Sequence, residues 1–232
     1  MSFLEKQWKL IAGALAALII VGAAVAIQST MKVASEKRQQ EAFFGVEKKF
    51  SDYKNKKNKD AQPDKKAAVP ATPAELATDL ATVKKELESF ISANPGSKAS
   101  QMAALYYSEI LRDEKSNDLA LATLQKVQNN DPGLVNTLVQ QEIGQILADS
   151  NKCTEAIDLW QKIVNRKEAA FIHNEVKIQQ ALCYQKMNDL KKAEELLTNI
   201  ANQKSEGGPE AASVKVAARY LRWIQFRRVS GT

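Results

Sequence analysis

The sequence predicts an all-α protein: an N-terminal transmembrane helix, then a stack of antiparallel helix pairs, closed by a C-terminal capping helix. Three observations carry this reading. Leu10 to Met31 are 22 uncharged residues, about 33 Å as a helix and enough to cross a hydrocarbon core. Glycine and proline number only 9 and 6 in 232 residues, too few for the turns of a β-rich fold, whereas the strong helix formers Ala, Leu, Lys, Gln and Glu abound. Small and large apolar residues recur at intervals of 36 and 37 residues, as stacked helix pairs require.

Residues 1–9 form a short tail in which Lys6 and Lys9 precede the span, with Trp8 at the position of an interfacial aromatic. A cleaved signal peptide is the competing reading, because Ala24-Val25-Ala26 fits an A-x-A cleavage site. The length of the apolar run favours an anchor, as does the helix-forming sequence that continues beyond it. Lys32, Lys37 and Arg38 on the far side balance Lys6 and Lys9, so flanking charge leaves the topology open.

A juxtamembrane helix is predicted over 32–53, where Phe43, Val46, Phe50 and Tyr53 form a narrow apolar stripe. Residues 54–71 are rich in Lys, Ala and Pro and read as a flexible linker or loop. The net charge of +6 is concentrated here: residues 32–66 hold 11 Lys/Arg against 6 Asp/Glu, whereas 67–232 hold 20 of each sign. A neutral helical domain offers no nucleic-acid face. The basic segment has two readings, attraction to anionic lipid or a solvated linker.

A helical domain follows over 72–232. Thr72, Pro73 and Glu75 make a capping box with proline at the first helical position. Leu76, Leu80, Val83, Leu87, Phe90 and Ile91 then recur at helical spacing, and Asn94-Pro95-Gly96 ends the helix. Strong breaks recur at Asp131-Pro132-Gly133 and Gly207-Gly208-Pro209, with weaker ones near Ser116, Ser150, Arg166 and Asn188. Short connections between helices imply antiparallel neighbours.

The repeat register rests on Ala120, Ala156 and Ala193. Four residues after each stands Leu124, Trp160 or Leu197, and seven after stands Val127, Ile163 or Ile200. Twelve before each is the small Ser108, Gly144 or Ala181, and nine before is Leu111, Leu147 or Tyr184. Small residues permit close helix approach, and large ones a turn away fill the space beside it. The pattern resembles a degenerate tetratricopeptide repeat, lengthened by two or three residues. A non-repeating helical bundle is the alternative. Phe90 to Ser100 followed by Ala103-Ala104-Leu105-Tyr106-Tyr107 resembles the bacterial envelope form of this repeat. With the short tail, one span and the striped helix, the layout is similar to that of the ancillary subunits of the bacterial Sec translocon. The resemblance implies a single-pass protein of the bacterial inner membrane with its C-terminal domain in the periplasm. It also implies protein partners, either translocon components or exported clients.

Residues for catalysis are not evident. His173 is the one histidine and reads as a surface or capping residue. No phosphate-binding, dinucleotide-binding or metalloprotease motif occurs, so no enzyme activity, cofactor or metal is expected. The first helix of each pair lines the concave face of such a repeat. That places Met102, Leu105, Glu109, Gln141, Gln145, Ile178, Leu182 and Gln185 in a candidate peptide-binding groove. For Leu105, Ile178 and Leu182 a core role is the simpler reading. The last helix is apolar around more than half its circumference, with Arg219, Arg222, Arg227 and Arg228 as its polar side. Capping the stack is its first reading. Apolar surface left at Trp223 or Phe226 would mark a second interface.

Cys153 and Cys183 are the only cysteines. In the register, Cys153 begins the second helix of one pair, and Cys183 lies late in the antiparallel first helix of the next. Their sulfurs therefore fall near each other, and an oxidising periplasm favours a disulfide between them. The alternative is two small buried helix residues. The expected function is that of a scaffold or accessory protein binding partners beside export machinery. A structural scaffold of another envelope complex and a cytoplasm-facing adaptor are the alternatives.

Overall fold

The computed structural model describes the backbone of residues 3–60, 72–204 and 207–230. Within these ranges side chains are described from Leu18 onward, apart from Lys32, Lys59, Asp60, Pro209, Val229 and Ser230. The side chains of Lys6, Trp8 and Lys9, and linker residues 61–71, lie outside the described set. Among the described residues the chain is all-helical: α1 (Phe3–Asp60), α2 (Pro73–Ala93), α3 (Lys98–Asp113), α4 (Asn117–Val127), α5 (Leu134–Asp149), α6 (Cys153–Val164), α7 (His173–Lys186), α8 (Leu190–Ala201) and α9 (Gly208–Ser230). A 3-10 segment, Lys167–Ile172, leads into α7.

Local chemistry sets the helix ends. The Glu75 N–H donates to the Thr72 hydroxyl at 3.2 Å, and the Thr72 N–H donates to the Glu75 carboxylate at 2.8 Å. These are the two reciprocal bonds of a capping box. The Thr72 donors hold the Glu75 carboxyl below its ordinary pKa. Three later turns share one closure. Lys115, Asn151 and Asn188 take φ of +64°, +62° and +63°. After each, an N–H reaches back to a carbonyl at 2.8 Å: Ser116 to Leu111, Lys152 to Leu147, Asp189 to Tyr184. This is a Schellman-type closure, and asparagine adopts its left-handed backbone more readily than lysine.

The register is visible as burial. Ala120, Ala156 and Ala193 are fully enclosed, as are Leu124, Trp160 and Leu197 one turn on. Of the register residues only Tyr184 is half-buried, with the Lys192 ammonium 5.1 Å above its ring. The pattern extends one interval earlier than the sequence reading placed it. Val83, Leu87 and Phe90 of α2 are buried 37 residues before Ala120, Leu124 and Val127. Each helix packs on the next, and α1 also meets α3, α3 meets α5, α5 meets α7 and α7 meets α9.

The long α1 has two halves with different surroundings. Its amino-terminal half contains an 18-residue window of mean hydropathy 1.6, with none of it buried against protein. This helix is long and apolar enough to cross a membrane. Its second half is part of the folded domain. Phe43, Phe50 and Tyr53 are buried, and the Tyr106 ring of α3 lies 4.5 Å from that of Phe50 and 5.8 Å from that of Phe43. The helix runs unbroken through 54–60, so the expected linker does not begin at residue 54, and 32–53 is not a helix apart from the domain.

The structure also gives the basic segment a use that neither sequence reading contained. Lys49, Lys54, Lys56 and Lys57 bond to Glu86, Glu109, Asp79 and Asp113 of α2 and α3, at 2.5 to 2.7 Å. Such exposed pairs are screened by solvent and contribute little, against about 1.5–3 kcal/mol for burying each phenylalanine. The aromatic stripe therefore holds α1 in place, and the lysines select which carboxylates it faces.

Candidate partner-binding face

The outward side of α1, α3, α5 and α7 is tied together by donors that each reach a carboxylate two helices further on. Lys54 of α1 meets Glu109 of α3. Arg112 of α3 meets Glu142 and Asp149 of α5, at 2.5 and 2.9 Å. The amide of Gln141 on α5 donates to Glu175 of α7 at 2.7 Å. Burial works against the Arg112 charge, but its two carboxylates outweigh that and raise its pKa above the ordinary arginine value. This row faces outward because the opposite sides of α3 and α5 carry the buried register residues.

Clefts open along the face. One, of about 630 Å³, lies between α1 and α3 and is lined by Phe44, Phe50, Lys54 and Tyr106 among others. Another, of about 270 Å³, lies between α7 and α9 and is lined by Leu182, Gln185, Arg219, Tyr220 and Trp223. No family model, curated protein or solved structure matches this chain.

The residues expected in the groove separate into four groups. Met102 and Leu105 are half-buried and pack against the main core. Glu109, Gln141 and Gln145 point outward but are engaged, with Lys54, Glu175 and Asp149 respectively. Ile178 is buried in a second, C-terminal core cluster and does not line an open surface. Leu182 and Gln185 line the α7–α9 cleft, where the Gln185 side-chain oxygen is enclosed without a hydrogen-bond partner. His173 sits at the start of α7, with Nε2 2.9 Å from the carbonyl oxygen of Arg166. Among the described residues no three of His, Cys, Asp and Glu gather as a metal site.

Cys153 and Cys183 form a disulfide with Cα atoms 5.2 Å apart. It joins the first turn of α6 to the last part of α7, where the main core gives way to the C-terminal cluster. Arg112, Phe44, Arg219 and Tyr220 belong to the face but were not singled out for it from sequence. Their spacing marks them only as exposed helix positions. A second unforeseen feature is the buried amide pair Gln101 and Asn136. Gln101 donates to the Val127 carbonyl and to Asn136 Oδ1, and Asn136 donates to the carbonyls of Asn129 and Asp131. It locks the α4–α5 turn against α3.

Tyr106 gives a solution handle on the α1–α3 contact. Burial, and then its hydrogen bond to Glu47 at 2.8 Å, push its pKa up to about 12. The folded chain holds this proton longer than the unfolded chain, whose value is near 10. The stabilisation is therefore whole below pH 10 and is lost as pH rises toward 12. Ultraviolet titration should show a late-ionising tyrosine that disappears in Tyr106→Phe. Loss of a tyrosine that ionises near pH 10 in that variant, in place of the late one, means that α1 does not dock on α3.

Proposed function

We propose that this chain is a membrane-anchored, tetratricopeptide-like scaffold of the bacterial inner membrane that binds partner proteins and catalyses no reaction. In this reading α1–α2, α3–α4, α5–α6 and α7–α8 are successive antiparallel pairs of a solenoid, and α9 closes it. The observation that carries the proposal is the recurrence of one unit. The same small and large positions are buried at intervals of 36 and 37 residues, and the same left-handed turn recurs at Lys115, Asn151 and Asn188. Solenoids of this kind present one long face built from equivalent helices, and such faces bind peptides and helices.

The anchor in this proposal is α1, and the helical domain lies in the periplasm beside protein-export machinery. The disulfide supports an oxidising compartment. The internal pairing of Lys49, Lys54, Lys56 and Lys57 counts against a cytoplasm-facing adaptor held to lipid by those charges. Alkaline carbonate should leave the full chain in the membrane pellet, with its amino terminus retained. A mature protein beginning at Ile27 would remove the anchor. The binding function is tested by photo-crosslinkers placed at Leu105, Gln141 and Leu182. All three should trap the same partner, and positions Glu155 and Asp158 on α6 should trap none. Equal labelling from both sets would leave a purely structural scaffold.

A further inference from the structure

We propose that the open side of α9 is a docking site for an acidic amphipathic helix of a partner protein. The inference rests on the scaffold reading above and names the chemistry of one partner. Along the face, cations or amides of one helix meet carboxylates two helices further on: Lys54 with Glu109, Arg112 with Glu142 and Asp149, Gln141 with Glu175. On α9, Lys215, Arg219 and Arg222 are exposed at spacings that share one helical side. Among the described residues no later helix packs there. Three cations so spaced complement a helix that supplies carboxylates at i, i+4 and i+7.

Apolar chemistry on the same side agrees. Trp223 and Phe226 are 44% and 71% exposed, flanking the basic positions at helical spacing. Beside them the α7–α9 cleft is walled by Leu182, Tyr220 and Trp223, a shape that accepts one apolar side chain. The charge is one-sided. Residues 208–230 carry five Lys/Arg and one acidic residue, Glu210, and Arg228 pairs with Glu194 of α8 at 2.8 Å. A second copy of this chain is a poor occupant. The carboxylates its outer face carries at Glu109, Asp113, Glu142 and Asp149 are already held by its own lysines and arginine. A flat lipid surface places no side chain in the cleft.

The test uses the full chain in neutral-lipid nanodiscs and a labelled synthetic amphipathic helix. That helix carries a leucine stripe flanked by glutamates at i, i+4 and i+7, and a matched peptide carries lysines instead. Fluorescence anisotropy should show binding of the glutamate peptide only. Arg219→Glu with Arg222→Glu should weaken it by about tenfold or more and confer binding of the lysine peptide. Circular dichroism melting should be unchanged, because both side chains are exposed. Three results overturn the proposal: glutamate-peptide binding indifferent to the double substitution, a response to anionic phosphatidylglycerol vesicles in place of the peptide, or a change of oligomeric state in the variant. Crosslinking from Leu105 and Gln141 does not involve α9. If it succeeds while the peptide fails, only the α9 assignment falls, and if both fail the scaffold reading falls too.

Discussion

Trp160→Ala is expected to lower stability by about 3–5 kcal/mol, the usual loss for a buried aromatic. Its side chain is fully enclosed between α5 and α6, and its indole N–H donates to the Gln141 carbonyl at 3.3 Å. Across from it, Gly144 is the small residue that lets the two helices meet. A Cβ built at Gly144 stands 2.2 Å from Trp160 Nε1 and 2.5 Å from Cε2. A rigid indole cannot yield by that amount without moving a helix. Gly144→Ala should therefore destabilise by about 1–3 kcal/mol through overpacking, despite the better helix propensity of alanine. Shrinking the indole makes room for the methyl group. Gly144→Ala combined with Trp160→Leu should then cost less than the two changes summed, by about 1 kcal/mol or more. Chemical denaturation followed by helical circular dichroism measures these variants, with Trp160→Leu alone completing the cycle. A Trp160→Ala loss below about 1 kcal/mol means that the register is misplaced.

Reduction of the Cys153–Cys183 bond should cost about 3 kcal/mol. The bridge spans 30 residues, and the chain-entropy model assigns about 3–4 kcal/mol to a loop of that length. Both cysteines are buried, at 5% and 1% exposure, so the native protein should resist mild thiols and become reducible on unfolding. Replacing both cysteines with alanine should lower the denaturation midpoint as far as reduction does. Thiol labelling of the unreduced, denatured chain should find no free thiol. Two labelled thiols per chain would remove both the bridge and the support it lends to an oxidising compartment.

Much of the helical organisation was readable because it is written in short-range periodicities. The capping box at Thr72 and Glu75 and the breaks at Asn94-Pro95-Gly96 and Asp131-Pro132-Gly133 are encoded within a few residues. The small and large register positions are also local, since each describes one side of one helix. The groove was only partly readable for the same reason. Helical spacing puts Ile178 and Leu182 on neighbouring sides of α7, but whether each meets a partner helix or water depends on how far α9 covers them. Ile178 is buried, whereas Leu182 borders the α7–α9 cleft.

By itself the sequence determined an all-helical chain, an apolar amino-terminal segment of spanning length and the interval at which buried small and large residues recur. Only the tertiary structure decided that the second half of α1 belongs to the domain. It alone matched Lys54 and Lys57 with Glu109 and Asp113, and joined Glu47 to Tyr106. These contacts link residues 55 to 59 positions apart. The physical reason is that periodicity reports which side of a helix avoids water, a property of a few turns. The partner that covers that side is set by how whole helices stack, and the poorly patterned residues 54–71 concealed that α1 returns to the same core.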